Sequence, residues 1–432
     1  MKVLCASWHY PPSNEICGKV AYRFARALAA RGHEVTVVTI PLAAIRHVDP
    51  DYGADVPGVR VVRVAPWPGV TDAIARRTRR LRHARFRNGN GSGDGARVAT
   101  SALGRWLRDM RQLPDRAMGW IVPARRAMRA LAEREHPDVL LTHSPHLSAH
   151  VAALGVHSSA GIPWWAWLHD PLIINPYHHP MTPVRQRVVL HWRGKIARHA
   201  AGLCAATDAM SAYLGQEYGV TPVVLRSGYD PHDLPSPMDP PDDGPMVMIH
   251  AGTLYGHRTP IPILEAIAML RRGGEIAPGD LVFRVLGDCA HLGGESPSAA
   301  ARRLGIDAFV RVEPPVSQRE AFEAIATSHV GVVLAEGQPM QVPAKMYELI
   351  GMHRPILALA DGETAVLVER HRLGCAATRS TLADALRRLL AAHRQDHFCE
   401  LRGQVAKVAA EFTIQAQAER FEQAVTAVTP RA

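Results

Sequence analysis

Two segments in the second half of the chain carry residues suited to binding a diphosphate. In HAGTLYGHR, His250 to Arg258, Gly252 permits close approach to the backbone and Arg258 supplies a permanent positive charge. Gly287 follows the apolar run LVFRVL and is placed in the same way. We therefore expect Gly252, Gly287 and Arg258 to contact phosphate oxygens.

The segment AEGQPMQVPAKMYELI, starting at Ala335, adds a lysine and a carboxylate. A helix is predicted to begin after Pro343, and the free N–H groups of a first helical turn attract anions. Lys345 reinforces that attraction. Glu348, about one turn further on, can accept two hydroxyl hydrogen bonds, as from a ribose diol. The alternative for Glu348 is an ordinary surface carboxylate.

Gly18 lies in the first half of the chain, in the segment YPPSNEICGK between a predicted strand and a predicted helix. A glycine there lets a phosphate or a sugar approach the helix N-terminus. Gly18-Lys19 also matches the end of a Walker A motif, but Val20 replaces the required Ser or Thr, which excludes a P-loop. A purely structural role for Gly18 in the turn is the alternative.

Histidines follow two apolar runs at points where predicted strands end. His169 and Asp170 end WAWLHDP, and a histidine there can hydrogen-bond a hydroxyl or act as an acid or base. A satisfied turn histidine is the alternative. His143 has a similar position, which makes it, together with Asp170, a candidate acceptor or cleft residue. His146 and His150 are four residues apart, as metal ligands on a helix can be, but no carboxylate or cysteine nearby completes a set.

Little else in the sequence indicates a metal or a cofactor. One Asp-x-Asp pair, Asp49-Pro-Asp51, lies in a polar loop and is interpreted as a turn. The six cysteines are scattered without a C-x-x-C pair, which argues against zinc or a disulfide framework and favours reduced thiols. We expect no metal and no cofactor, with fixed positive groups acting instead.

The elements that position these residues alternate between strands and helices. A strand at Lys2–Ser7, a helix at Gly18–Arg31 and a strand at Glu34–Ile40 form a first β-α-β unit, and the alternation restarts at Met246. The pattern predicts an α/β fold with two Rossmann-like, doubly wound domains facing a cleft. The predicted parts are a first domain at 1–226 with an insertion at about 71–115, a Pro-rich linker at 227–245, a second domain at 246–404, and a C-terminal helix at 405–432 packing across both.

The net charge of +10 is concentrated in the predicted insertion, where Arg76–Arg87 holds seven arginines in twelve positions before a Gly-rich run. Two interpretations of this segment are open: a solvated loop, or a contact with an anionic membrane or an acidic acceptor. No helix-turn-helix, zinc-finger or RNP pattern accompanies the arginines, which argues against nucleic acid. No apolar stretch is long enough to span a bilayer, and no signal-peptide core is present. We expect a cytoplasmic protein or one peripheral at the inner membrane face.

Five segments together resemble the GT-B glycosyltransferases, specifically the retaining family-four type that uses nucleotide sugars. They are the opening HYPPSNEICGKVAYRFARALAARGHEVTVVT, then LPDRAMGW, VVLRSGYD, HAGTLYGHR and PAKMYELIGMHRPIL. The resemblance covers nearly the whole chain in the family order. Three departures are Cys17 for a glycine, Thr253 for an arginine and Met340 for the first of two glutamates, of which Glu348 matches the second.

The resemblance implies roles for particular residues. Gly18 lines the donor phosphate and sugar, His169 lies beside the reacting sugar, Arg258 and Lys345 neutralise the leaving diphosphate, and Glu348 binds the ribose. The implied reaction is sugar transfer from a nucleoside-diphosphate sugar with retention, without a metal. The acceptor is undetermined: a glycan, a lipid-linked molecule or a natural product.

Two rival functions stay open. A nucleotide-sugar 2-epimerase shares the architecture but needs several cleft carboxylates, which the sequence does not place. A polyanion or lipid-surface binding module would explain the basic charge without any catalysis.

Overall fold

The computed structural model contains two parallel β-sheets, each packed between helices. It describes residues 1–45, 47–49, 52–53, 55–67, 109, 113–171, 181–241, 243–256, 258–289, 291–292, 294–395 and 397–428. The arginine-rich segment Arg76–Arg87, the Gly-rich run after it and Asp51 lie outside these residues. No helix within the described ranges has the length and apolar character that crossing a membrane requires.

The first sheet has seven parallel strands in the order β3-β2-β1-β4-β5-β6-β7. In chain order they are β1 (Lys2–Ala6), β2 (Glu34–Thr39), β3 (Val59–Arg63), β4 (Val139–His143), β5 (Trp164–Leu168), β6 (Gly202–Ala205) and β7 (Val223–Val224). Every residue of β4 and β5 is buried, as expected for strands covered on both faces. The described helices of this half are α1 (Ile16–Ala30), α2 (Ile121–Glu135), α3 (Leu147–Ala160), α4 (Pro183–His199) and α5 (Asp208–Tyr218).

The second sheet has six parallel strands in the order β12-β10-β8-β13-β14-β15. They are β8 (Met246–Ala251), β10 (Leu281–Leu286), β12 (Val310–Glu313), β13 (Val330–Ala335), β14 (Ile356–Ala360) and β15 (Gly374–Ala377). Two short strands, β9 (Tyr255–Gly256) and β11 (His291–Leu292), pair separately. The helices are α6 (Ile261–Arg272), α7 (Pro297–Leu304), α8 (Gln318–Ala326), α9 (Ala344–Gly351), α10 (Glu363–Arg370), α11 (Leu382–Arg394) and α12 (Phe398–Ala409).

The chain returns to the first domain through a last helix, α13 (Ile414–Val428). Phe421 on this helix packs against Phe24 of α1, with the ring centroids 5.7 Å apart. The prediction of a single C-terminal helix from residue 405 onward is wrong. The structure breaks it at a 3₁₀ turn, Ala410–Phe412, because Tyr229 of the linker exchanges backbone hydrogen bonds with Phe412 and Ile414 there.

The predicted fold class is confirmed: the structure has two doubly wound α/β sheets. In each sheet the strand order reverses direction at one point, between β1 and β4 in the first and between β8 and β13 in the second. Loops leaving the carboxyl ends of such strand pairs diverge and open a crevice, which is where ligands bind in open parallel sheets.

Candidate functional site

Lys345 lies at the crevice of the second sheet, in the first turn of α9. Its ammonium donates a hydrogen bond to the carbonyl of Ala251 at 2.8 Å and lies 3.2 Å from Nε2 of His250. His250 Nδ1 lies 3.0 Å from the carbonyl of Val332, so Nδ1 carries the proton and Nε2 accepts from Lys345. These two acceptors fix the ammonium above the end of β8.

The surroundings of Lys345 within the protein disfavour its charge. Burial, and next the nearby charge of Arg258, lower the pKa of Lys345 to about 7. An anion placed beside this lysine would reverse that shift, because opposite charge favours the protonated form. The lysine is therefore suited to binding a phosphate.

Gly252 and Gly287 make room at this crevice. Gly252 has φ +135°, and a Cβ there would lie 2.8 Å from Lys345 Nζ. Gly287 has φ +138°, and its Cβ would lie 2.4 Å from the Gly252 carbonyl oxygen. The N–H of Gly252 donates to the carbonyl of Leu286 and the N–H of Gly287 donates to the carbonyl of Glu313, so both amides are engaged in hydrogen bonds at the end of the sheet. The two glycines provide space beside Lys345 for a ligand.

Arg258 joins the two loops that leave the second sheet at its crevice. Its Nη2 donates to Oε1 of Gln338 at 2.9 Å, which connects the loop after β8 to the loop after β13. Its charge also contributes to lowering the pKa of both Lys345 and His250. The structure thus places the side chains of Arg258 and Lys345 in one small region of the crevice.

Glu348 faces the first domain across the crevice. Its Oε1 lies 3.4 Å from Nη2 of Arg23, an arginine of α1 whose side chain is only 1% exposed. Arg23 also donates to Asp233 of the linker at 2.6 Å and to the hydroxyl of Tyr52 at 2.9 Å. Sequence reasoning missed Arg23, because a basic residue on a predicted helix is normally assigned to solvent. The alternative of a surface carboxylate for Glu348 does not hold.

Further polar contacts hold the two domains face to face. Asp170 accepts from the side-chain amide of Gln341 at 3.2 Å, and Lys19 donates to Gln318 at 2.9 Å. Glu363 at the start of α10 accepts from the first backbone N–H groups of α5, those of Asp208 and Ala209. The two sheets therefore present their ligand edges to one another.

His169 lies at the crevice of the first sheet. Its Nε2 is 3.5 Å from Nδ1 of His143, the two rings are stacked, and its backbone N–H donates to the hydroxyl of Ser144. Burial lowers the pKa of His169 to about 4. The ring is neutral at pH 7, so it can hydrogen-bond a substrate. Contrary to the prediction from the sequence, it does not titrate near neutrality.

Two predicted residues turn out to be internal. His143 is 2% exposed and packs against Phe24 and Trp167, so it orients His169 and does not line the cleft. Gly18 is buried in α1, its N–H bonds the carbonyl of Glu15, and a Cβ there would lie 3.1 Å from His9. These contacts favour the structural alternative for Gly18.

The histidine pair with metal-like spacing separates in the structure. His150 is fully buried and its Nδ1 lies 2.6 Å from the hydroxyl of Thr142, whereas His146 lies beside His9. No three His, Cys, Asp or Glu side chains of the described ranges come together as a metal could require. Asp49 pairs with Lys19 at 2.6 Å, as a residue of a polar loop can.

Comparison with known proteins identifies the first domain. Residues 17–226 match the family of glycosyl transferase 4-like domains. The chain is a glycosyltransferase. No curated protein sequence matches it significantly.

Solved structures extend the comparison of the fold to the second domain. A sucrose-phosphate synthase from Thermosynechococcus elongatus matches with a TM-score of 0.63 at 15% identity, covering 98% of both chains. HepE from Anabaena, solved with UDP and glucose, matches at 0.62 and 14%, covering 99% of both. WaaG, a glycosyltransferase of lipopolysaccharide biosynthesis, matches at 0.59 and 14%, covering 98% of this chain and 99% of WaaG. At such identities the likeness establishes the fold, so the glycosyltransferase has the two-domain GT-B architecture over its whole length.

Proposed function

We propose that this glycosyltransferase takes a sugar from a nucleoside-diphosphate sugar held by its second domain and transfers it, with retention, to an acceptor bound by its first domain. The observation that carries the proposal is Lys345: its ammonium is fixed over Gly252, beside Arg258, in a crevice that would otherwise disfavour its charge. A diphosphate supplies the missing negative charge.

The donor has a defined orientation in this proposal. Its diphosphate occupies the space above Gly252 and Gly287, where Lys345 and Arg258 neutralise it. The ribose extends along α9 to Glu348, one helical turn from Lys345, which accepts from the ribose hydroxyls. HepE, whose fold this chain shares, was solved in complex with UDP-glucose and with UDP and glucose.

The transfer step follows from this orientation. The bond between the sugar C1 and the diphosphate oxygen breaks, and the acceptor oxygen bonds to C1 on the same face. The acceptor proton passes to the departing diphosphate. Lys345 and Arg258 stabilise the charge that develops on the diphosphate, so we propose that no metal is required. His169, being neutral, holds a sugar hydroxyl by a hydrogen bond.

A thermal-shift panel of UDP, GDP and ADP tests the donor site. A ligand at 100 times its Kd stabilises the folded protein by about 2.7 kcal/mol, so the correct nucleotide should raise Tm by several degrees. Glu348→Gln should remove most of this response, whereas Glu369→Gln, an exposed carboxylate on α10, should leave it intact. A panel in which none of the three raises Tm would refute the proposed donor.

Incubation with donor alone separates transfer from epimerisation. The proposal predicts slow release of free sugar with its C2 configuration unchanged, and inversion at C2 would favour an epimerase. Contacts of the Arg76–Arg87 segment with a membrane surface, and the cellular location, stay predictions.

A further inference from the structure

Arg116 lies at the carboxyl edge of the first sheet between two histidine rings. Its Nη2 is 3.1 Å from Nε2 of His9, and its Nε donates to Nε2 of His146 at 3.4 Å. An arginine can only donate, so both Nε2 atoms are unprotonated acceptors. Two neutral imidazoles thus hold one guanidinium in place.

The backbone before Arg116 is anchored as well. Asp115 accepts hydrogen bonds from the backbone N–H of Ala117 at 2.8 Å and from both the N–H and the hydroxyl of Ser148 at 2.9 and 2.7 Å. Ser148 lies in the first turn of α3, so this carboxylate attaches the Arg116 loop to the N-terminus of that helix. Arg116 is therefore preorganised by its neighbours on both sides.

The charge of Arg116 has no counterion in the described part of the chain. Burial, together with His146 and Arg116, lowers the pKa of His9 to about 3, so His9 adds no positive charge at pH 7. No Asp or Glu of the described residues forms an ion pair with Arg116, which is exposed; the neighbouring carboxylate of Asp115 lies 3.7 Å from Nδ1 of His146. The two contacts use two of the five guanidinium N–H groups and leave three, including both on Nη1.

Arg116 lies on the same edge as His169. His9 follows β1, and His146 follows β4, the strand that pairs with β1. Ser144, two residues before His146, accepts the backbone N–H of His169, which follows the next strand, β5. The three loops are neighbours, so an acceptor molecule can contact both Arg116 and the region beside His169.

We propose that Arg116, held by His9 and His146, binds an anionic group of the acceptor, a phosphate or a carboxylate. This inference rests on the proposed function, because it assigns the acceptor side of the same crevice. A guanidinium with free N–H groups matches the paired oxygens of these anions, and its fixed position reduces the entropy lost on binding. If Arg116 binds such an anion, the acceptor is an acidic molecule: a sugar phosphate, a uronic acid or a lipid-linked phosphate.

Binding of three model acceptors tests the proposal: glucose 6-phosphate, glucuronate and glucose. Each is titrated by calorimetry into protein saturated with UDP, so that the anion cannot occupy the donor site. At least one anionic probe should bind, and glucose should bind at least tenfold more weakly. The phosphate and the carboxylate arms show which anion is preferred.

Two variants assign the binding to the residue. Arg116→Gln should weaken the binding of the anionic probe at least tenfold while the UDP affinity stays unchanged. Arg129→Gln removes an exposed arginine of α2 that is paired with Glu133, and it should change the affinity for the anionic probe less than twofold. Equal binding of glucose and the anionic probes, failure of both anions to bind at 10 mM, or unchanged binding in Arg116→Gln would overturn the inference. Failure of UDP, GDP and ADP alike to bind the unmodified protein would instead refute the proposed function.

Discussion

The pKa of Lys345 makes donor binding dependent on pH in a calculable way. With a pKa of about 7 for Lys345, half of the molecules carry the charge at pH 7 and about one in eleven at pH 8. A bound diphosphate raises this pKa, so binding at pH 8 takes up close to one proton. The affinity should therefore be constant well below pH 7 and should fall as the pH rises through 7.

The expected loss is about fivefold in Kd between pH 7 and pH 8, or about 1 kcal/mol, since only the protonated fraction binds well. His250 does not interfere, because burial and Lys345 hold its pKa well below 6.5 and it stays neutral throughout this range.

Calorimetry with UDP-glucose measures both the affinity and the proton uptake, if it is repeated in buffers of different ionisation enthalpy. The phosphates of UDP-glucose remain ionised throughout, so the ligand does not add its own phosphate titration. Lys345→Met should weaken binding and abolish the change between pH 7 and pH 8. Lys407→Met, at an exposed position of α12, should leave both unchanged. Equal Kd at the two pH values with no proton uptake would refute the reasoning.

Three further predictions concern stability and catalysis. Gly287→Ala should lower the free energy of unfolding, measured by urea denaturation, by about 2 kcal/mol or more, because the φ at this position suits only glycine and the added Cβ would meet a carbonyl. Gly403→Ala in α12 should instead raise the free energy of unfolding by about 0.5–1 kcal/mol. Arg23→Met should cost about 1–3 kcal/mol, because it leaves Glu348 and the Tyr52 hydroxyl without Arg23 while Asp233 keeps its ion pair with Arg26. Arg31→Met, whose ion pair with Glu422 is partly exposed, should cost less than about 1 kcal/mol, and equal losses would contradict the role of Arg23. His169→Asn should lower kcat about tenfold without altering the pH–rate profile between pH 6 and 8. A limb of the wild-type pH–rate profile near pH 6.5 that disappears in this variant would contradict a neutral His169.

The strands of the core could be predicted from the sequence because their signal is local. Trp164–Leu168 is a continuous apolar run and Met246–Ala251 is one interrupted only by His250, and the structure has strands with these same bounds. The strand Gly374–Ala377 was missed, since its residues Gly-Cys-Ala-Ala have little β-propensity and the sheet around it determines its conformation.

The candidate site was predictable where a residue type follows a strand and much less so where partners come from afar. Lys345, Arg258 and Glu348 lie at the crevice as their positions after predicted strands suggested. Arg23 and Arg116 gave no such signal. Arg23 is buried by contacts with residues more than 200 positions away, and the two histidines around Arg116 come from separate loops. Tertiary contacts of this kind leave no short-range pattern.

A structure of the protein with bound UDP tests the central claim most directly. The account predicts β-phosphate oxygens at hydrogen-bond distance, about 3 Å, from Lys345 Nζ above Gly252, with the ribose hydroxyls on Glu348. A nucleotide bound elsewhere, or one whose phosphates face away from Lys345, would contradict it.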